Sequence, residues 1–335
     1  MASPSEPRPR QSMPGALQDG GLLPETRGYE WHEWIIEEDQ GASCLGFKTL
    51  KKLHEEHSPY QKLCVYDTAL FGKLLALDDV LMLSERDEFV YHEMLVHVPL
   101  CSLPEPKRVL IVGGGDCGCL REVLKHPGVE HVVQCELDER VVRVCQRFFP
   151  WVSPSIDDPR AELVFEDARA YLEASSDHFD LIIVDSTDPK GPAAQLFRRE
   201  FYQIVATRLT DGGVLTAQTE SPAWDPLMVG AIYGELRQAF SMTCSYLAMT
   251  PSYPSGCWSL AYASQQGRPA AGPIDAQRAS QVAKACLYYN PQIHRAAFAL
   301  PNFARRVVAG EDPFAGFNAR YLEHLRAGRG PDSSG

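Results

Sequence analysis

The sequence predicts an α/β protein, a doubly wound and mostly parallel sheet with helices on both faces, preceded by a small antiparallel β domain. Three observations predict it. From Arg108 onward, near-continuous apolar runs alternate with amphipathic segments in repeated strand-then-helix units, the signature of parallel strands covered by helices. The first of these runs breaks into three glycines and an acid, RVLIVGGGDCGCLRE (108–122), a strand-to-helix turn that puts a nucleotide or nucleoside at the top of such a sheet. Before Leu103-Pro104-Glu105-Pro106, shorter runs alternate apolar and polar residues, as antiparallel strands with one buried face do.

In chain order, residues 1–28 are rich in Pro, Ser, Gly and Arg and hold no apolar core of about 7 to 15 residues, so they read as a disordered extension rather than a secretory signal. Residues 29–103 form the β-rich domain. YEWHEWIIEED and KLCVYDTALFGKLLALDD supply strands, with turns at Gly72 and Asp78-Asp79. A helix is expected around GFKTLKKLHEE, and a second over 85–100, where Phe89, Tyr91, Met94, Leu95 and Val98 share a broad face. Residues 104–310 carry the larger sheet, with strands at 108–114, 131–137, 161–168, 179–186 and 213–219. Helices such as DERVVRVCQRFF and LFRREFYQIVATRL lie between them. The runs at 244–249 and 257–264, joined by TPSYPSG, read as an antiparallel pair at its edge, followed by helical sequence to Ala309. Residues 311–335 are a tail whose end resembles the N-terminal extension in composition.

The formal charge of −12 argues against nucleic-acid or anionic-membrane partners and favours cationic ones. No run of about 18 apolar residues is present, so no membrane helix is expected. Ten scattered cysteines, several inside apolar runs, point to reduced thiols in a cytoplasmic protein. Cys117-x-Cys119 lacks the second pair or nearby histidines that a tetrahedral metal site needs, so no metal is expected.

In an open parallel sheet, ligands bind beyond the carboxyl ends of the strands, so the residues just after each strand are the candidates. Gly113, Gly114, Gly115 and Asp116 follow the first; the glycines admit a ligand to the backbone, but an acid at 116 suits an amine or sulfonium better than a pyrophosphate. Glu136 closes the second strand about twenty residues on, where an acid accepts from ribose hydroxyls. Asp138 follows as a helix cap. Asp167 and Ala168 close the third strand, and Asp185 and Asp188 the fourth. Any one of these acids is explained by a cap or turn role; an ordered set at four successive strand ends points to a nucleoside site with a cationic partner.

These residues, with the segments around them, resemble the polyamine aminopropyltransferases, specifically the spermidine synthase family. The resemblance runs from about Trp31 to Arg306. It is carried by PYQ (59–61), LALDDVLMLSERDEFVYHEML (75–95), VLIVGGGD and LREVLKHPGVE (109–116 and 120–130), QCELDE (134–139), DSTDPKGPA (185–193), AQTESP (217–222), PSYPSG (251–256) and YYNPQIHRAAFALPNF (288–303). It implies a methyltransferase-like (Rossmann-like) catalytic domain and transfer of the aminopropyl group of decarboxylated S-adenosylmethionine, a co-substrate rather than a bound cofactor, to putrescine. Spermidine and methylthioadenosine are the implied products, and a homodimer or homotetramer the implied assembly.

By the same resemblance, Gln61, Glu136, Asp167 and Ala168 hold the methylthioadenosine part, over the glycine loop of Gly113 to Gly115. Asp116 and Asp185 bind the aminopropyl amine. Tyr91, Asp185, Asp188, Gln218 and Tyr253 line the diamine channel with His92 beside it, and PKGPAAQLF forms a lid. Asp185, assisted by Tyr91, is the expected base. Asp116 also accounts for donor choice, since the carboxylate of ordinary S-adenosylmethionine would lie against it. The chain departs from the family pattern at Cys117, where glycine is usual and a positive φ would cost about 1 kcal/mol; oxidation of Cys117 beside the ligand is a further expectation. Rival readings are a putrescine N-methyltransferase, a synthase acting on a longer amine, and a non-catalytic polyamine- or nucleoside-binding regulator.

Overall fold

The computed structural model describes residues 33–39, 43–266, 272, 274–317, 319–320 and 323. The expected extension over 1–28 and much of the expected tail lie outside them. The first sheet is an antiparallel meander of β1 (Trp34–Asp39), β2 (Ser43–His57), β3 (Lys62–Thr68), β4 (Gly72–Leu77) and β5 (Val80–Ser84). Asp78 and Asp79 turn the last hairpin with φ of 48° and 65°, the left-handed pair that two-residue hairpins require.

The helix expected around GFKTLKKLHEE is instead the middle of β2. That strand pairs with β1 on one side and β3 on the other, with register shifts near Lys51 and His54. The Lys- and Glu-rich run has fair helix propensity, but pairing with β3 along its length, continuous with the β1 pairing of Ser43–Lys48, outweighs the few tenths of a kcal/mol per residue that propensity supplies.

The larger sheet has strand order β11-β12-β10-β9-β6-β7-β8. Its strands are β6 (Arg108–Gly113), β7 (His131–Glu136), β8 (Ala161–Phe165), β9 (Phe179–Asp185), β10 (Leu209–Gln218), β11 (Met242–Met249) and β12 (Cys257–Ser264). β8, β7, β6, β9 and β10 run parallel, whereas β12 and β11 are antiparallel at the edge, so the sheet is mixed and Rossmann-like as the sequence predicts. Helix α1 (Glu88–Ser102) precedes it; α2 (Gly118–Leu124), α3 (Glu139–Phe148), α4 (Ala168–Ala174), α5 (Arg199–Arg208) and α6 (Pro226–Ala239) connect the strands. The C-terminal segment adds α7 (Ala276–Val282), α8 (Pro291–Ala296) and α9 (Asn302–Val308).

Two packing facts place the site. Val141, Val144, Cys145 and Phe149, on and just beyond α3, close a core with Leu63, Val65, Leu75 and Leu83 of the first sheet, which brings that sheet over the strand ends of the second. Helix α1 is not amphipathic in place. Nearly every residue from Glu88 to Ser102 is buried, because it packs against α2, α7 and the strands beneath. Its polar residues are therefore interior: Glu88, His92, Glu93 and His97 are all at most 6% exposed. A buried charge of this kind must be paired or hydrogen-bonded.

Glu93 meets that requirement with backbone. Its carboxylate accepts from the amides of Leu287, Tyr288 and Tyr289 at 2.8, 2.8 and 2.7 Å, which fastens the C-terminal segment to α1. Replacing Glu93 with Ala strands three amides, and we expect a loss of about 3 kcal/mol. Equilibrium denaturation checks this; a change under about 1 kcal/mol would refute the clamp.

Candidate active site

Strands β6 and β9 are neighbours although β7 and β8 intervene in sequence, so the sheet reverses its winding between them. A crevice forms at that point, beyond the strand ends. Gly113 pairs with Asp185 across the two strands, and Gly114 N–H donates to the Asp185 carbonyl at 2.7 Å. Both glycines have positive φ, 81° and 67°. A Cβ on Gly113 would lie 2.3 Å from the Asp185 carbonyl oxygen, and one on Gly114 would lie 2.9 Å from the Asp185 carboxylate. The glycines thus let the acid of one strand stand against the loop of the other.

Above them opens a cavity of ≈ 460 Å³ between the two sheets. Gln61, Gly113, Gly114, Gly115, Asp116, Glu136, Asp167, Ala168, Asp185, Asp188, Tyr91 and Tyr253 all line it. Gln218 lines a narrow branch that it shares with Tyr91, Asp188 and Tyr253. His92 stands behind the wall: it borders neither space and is 2% exposed. It therefore lies beside the channel and not in its lining, packed under Tyr91 and Asp116.

At one end of the cavity, Gln61 Nε2 donates to Asp138 at 3.0 Å, and Ser58 Oγ donates to the same oxygen at 2.6 Å. Asp138, expected only as a cap, does cap α3 through Arg140 N–H, and it also ties the first domain's hairpin to the second. Glu136 accepts from Asp138 N–H at 2.8 Å; burial, with Asp138 and Asp185 nearby, pushes its carboxyl up to about 7. Asp167 caps α4 and accepts from Gln195 Nε2 at 2.7 Å. Gln195 belongs to the 3-10 turn Gly191–Phe197, so the segment expected as a lid reaches down to the acid expected near the base. Gln195 was not predicted; its spacing from Pro192 gives no signal, and only the fold brings it to Asp167.

Two carboxylates meet deeper in. Tyr91 OH donates to Asp185 Oδ1 at 2.8 Å, while Oδ2 is buried with no nitrogen or oxygen donor. Burial and the neighbouring Asp116 raise the pKa of Asp185. Asp116 goes the other way: burial works to raise it, but His92, by charge and by a 3.2 Å hydrogen bond, and Gly118 N–H hold it below the usual range. Oppositely shifted acids in one pocket divide the tasks of cation anchor and proton acceptor. Burial, then the charge of Asp185, pushes the Tyr91 phenol well up, so it stays a donor.

At the far end, Asp188 carries Lys190 Nζ at 3.3 Å. Gln218 Nε2 reaches the Ser186 and Thr187 carbonyls at 3.4 Å and Glu220 at 3.3 Å. Glu220, which the sequence did not single out, is 9% exposed with φ of 68°, and burial beside Asp188 raises its pKa well up. Tyr253 is more than a turn residue: its hydroxyl donates to the Met82 carbonyl at 2.8 Å, and its ring packs edge-on against Tyr91 and Trp258.

Among the described residues, two clusters set histidine among metal-type ligands: His97 with Glu122 and Cys286, and His92 with Asp116 and Asp185. In the first, Glu122 already binds Arg121 at 2.7 Å and Lys125 at 2.6 Å; in the second, His92 already binds Asp116. Both read as internal ion pairs. Cys117 has φ of 65°, as the departure from glycine implied, and stores about 1 kcal/mol of strain. Its expected oxidation does not follow, for the thiol is 1% exposed and burial pushes its pKa up to about 12. Neutral, enclosed thiols are inert. Mapping maleimide adducts at pH 8 on the native protein should find exposed Cys44 labelled and Cys117 not; equal labelling would contradict this burial.

Known proteins share this arrangement. Residues 88–271 match the spermine/spermidine synthase domain, and residues 33–85 match the spermidine synthase tetramerisation domain. A polyamine aminopropyltransferase of Desulforudis audaxviator is 43% identical over 272 residues, covering 81% of this chain and 98% of the relative. One from Thermoanaerobacter sp. (strain X514) is 42% identical over 274 residues, covering 82% and 98%. Spermidine synthase crystallised with the transition-state analogue AdoDATO aligns with a TM-score of 0.80 at 38% identity, over 86% of this chain and 98% of that one. The spermidine synthase of Thermotoga maritima aligns with a TM-score of 0.78, also at 38% identity, over 87% and 98%. With both domains matched in order around the acid-lined crevice, the chain belongs to the spermine/spermidine synthase family and is an enzyme of the polyamine aminopropyltransferase type.

Proposed function

We propose that the enzyme transfers the aminopropyl group of decarboxylated S-adenosylmethionine to putrescine, forming spermidine and methylthioadenosine. The observation that carries this reading is the pair Asp116 and Asp185 at the inner end of a nucleoside-sized cavity. The ammonium of the donor sits between these acids, and ribose hydroxyls donate to Glu136. Gln195 is displaced from Asp167, or shares it, when the adenine amino group arrives. Asp188 holds the distal ammonium of the diamine in place of Lys190.

The acceptor nitrogen must shed a proton, attack the carbon bonded to sulfur, and let the C–S electrons return to sulfur as methylthioadenosine leaves. Asp185 takes the proton. A solvated aspartate is a weak base for an amine, but burial and the negative Asp116 raise its affinity for a proton. Tyr91 fixes the orientation of its carboxylate. The lid turn over both substrates keeps water from the sulfonium. The tetramerisation-domain match supports a homo-oligomer, which we read as a dimer or tetramer, and we place it in the cytoplasm.

Product analysis by mass spectrometry tests the reading. Incubation with putrescine and the decarboxylated donor should yield spermidine and methylthioadenosine, and S-adenosylmethionine should yield neither. N-methylputrescine would move the reaction to methyl transfer, and binding without product would make the protein a regulator. Asp185→Asn should lower kcat by about 100- to 10,000-fold. The rate should climb between pH 6 and 9, as the diamine loses a proton; a flat profile with chemistry rate-limiting would oppose the assignment.

Glu136 gives an independent pH signature. Ribose hydroxyls donate to its ionised form, so nucleoside binding favours loss of its proton and strengthens as pH rises through about 7. Methylthioadenosine should bind about tenfold more weakly at pH 6 than at pH 8, by the one-proton linkage relation. Titration calorimetry on the parent and Glu136→Gln checks it, the variant being flat with pH.

A further inference from the structure

Behind the acid pair runs a chain of buried groups that the reaction as described does not use. His92 Nε2 meets Asp116 at 3.2 Å, and its Nδ1 meets Glu88 at 2.8 Å. Glu88 in turn accepts both guanidinium nitrogens of Arg121, at 2.9 and 2.8 Å. The ladder Asp116, His92, Glu88, Arg121 thus alternates in charge, with His92 2% and Glu88 6% exposed. Its geometry is fixed by packing. A Cβ on Gly118 would lie 2.3 to 2.5 Å from three atoms of the His92 ring, so the glycine that opens α2 is what admits the imidazole. The Tyr91 ring closes the other side edge-on, 5.5 Å between centroids.

We propose that His92, held as an imidazolium by Glu88 and Arg121, is a positioning residue that keeps Asp116 ionised and aimed as the anchor for the donor's primary ammonium, leaving Asp185 as the proton acceptor. This rests on the donor reading above. The groups facing His92 are Glu88 and Tyr91 of its own helix, Asp116 from the glycine loop and Asp185 from β9, with Arg121 of α2 acting through Glu88. Two of those acids touch the ring directly and outweigh the burial that works to lower its pKa, so it stays well above the ordinary value. Without that charge, Asp116 and Asp185 form a close pair of carboxylates in a dry pocket, and such pairs share a proton. Either acid then carries it, and the division of tasks is lost.

The inference separates ligands that carry the ammonium from those that do not. In His92→Gln, which keeps polar bonding but not charge, the KM for the decarboxylated donor should rise about 10- to 100-fold, the range of a charge-assisted hydrogen bond. Methylthioadenosine lacks the aminopropyl group, and its affinity should stay within about threefold of the parent by the same argument. Glu88→Gln, a second variant that leaves the ring in place, should make donor affinity fall as pH rises from about 7 to 9, because the weakened imidazolium then loses its proton near its free value. Equal weakening of both ligands in His92→Gln would mean a purely structural role and overturn the inference. So would an unchanged donor KM, or a Glu88→Gln profile parallel to the parent's. No turnover by the parent would sink the donor reading itself, a different result from a competent parent whose variants bind both ligands alike.

Discussion

The contact of Gly113 with Asp185 across β6 and β9 governs the geometry of the whole site. These strands are adjacent only because the sheet changes winding direction there, and the crevice that results is open to a ligand without any further device. Closeness has a steric condition. The Asp185 carbonyl and carboxylate occupy the places where side chains at 113 and 114 would begin, so both positions must lack one. The same approach sets Asp185 beside the loop that carries Asp116. Two strand ends, separated by about seventy residues of chain, become one acidic pocket.

Such a pocket is costly in the empty protein, because two carboxylates lose water together. The structure offsets this with fixed cations and dipoles behind Asp116, not in front of it. His92, Gly118 N–H and, one step back, Arg121 lie outside the lining of the cavity. The other side of the pair faces the cavity. Glu136 follows a related logic: burial, with Asp138 and Asp185 nearby, pushes its carboxyl up to about 7. The site therefore holds unfavourable negative charge, which a cationic ligand of the kind proposed above would relieve.

What the sequence made legible follows from what is local. The strand-to-helix turns, the glycine loop and the acids at strand ends are each encoded within about ten residues, so the sheet and most of the cavity wall could be read off directly. The misreadings are all tertiary. LKKLHEE has the composition of a helix and becomes a strand because β3 pairs along it, while β1 pairs with the start of the same strand. Tyr91 and His92 take different sides because successive helical residues point about 100° apart, so one faces the cavity and the other faces α2. Gln195 meets Asp167 only when the lid turn folds over β8, and Glu88 meets Arg121 only when α1 lies against α2.

Cys117 shows how far the donor loop tolerates departure from glycine. The left-handed backbone at 117 is demanded by the turn, yet the side chain there lies outside the cavity lining, in the space under the loop, where Gln134 Nε2 lies 3.6 Å from its sulfur. The strain of about 1 kcal/mol is of the same order as the gain from burying a small apolar group. Gly118 has no such latitude: its φ is ordinary, but the His92 ring already fills the volume a side chain would take. Of the two neighbouring positions, the one under conformational strain accepts a side chain, and the one under steric constraint does not. The limit on this loop is therefore set by what packs behind it, which ties the glycine pattern of a nucleoside-binding turn to the histidine and acid that control its charge.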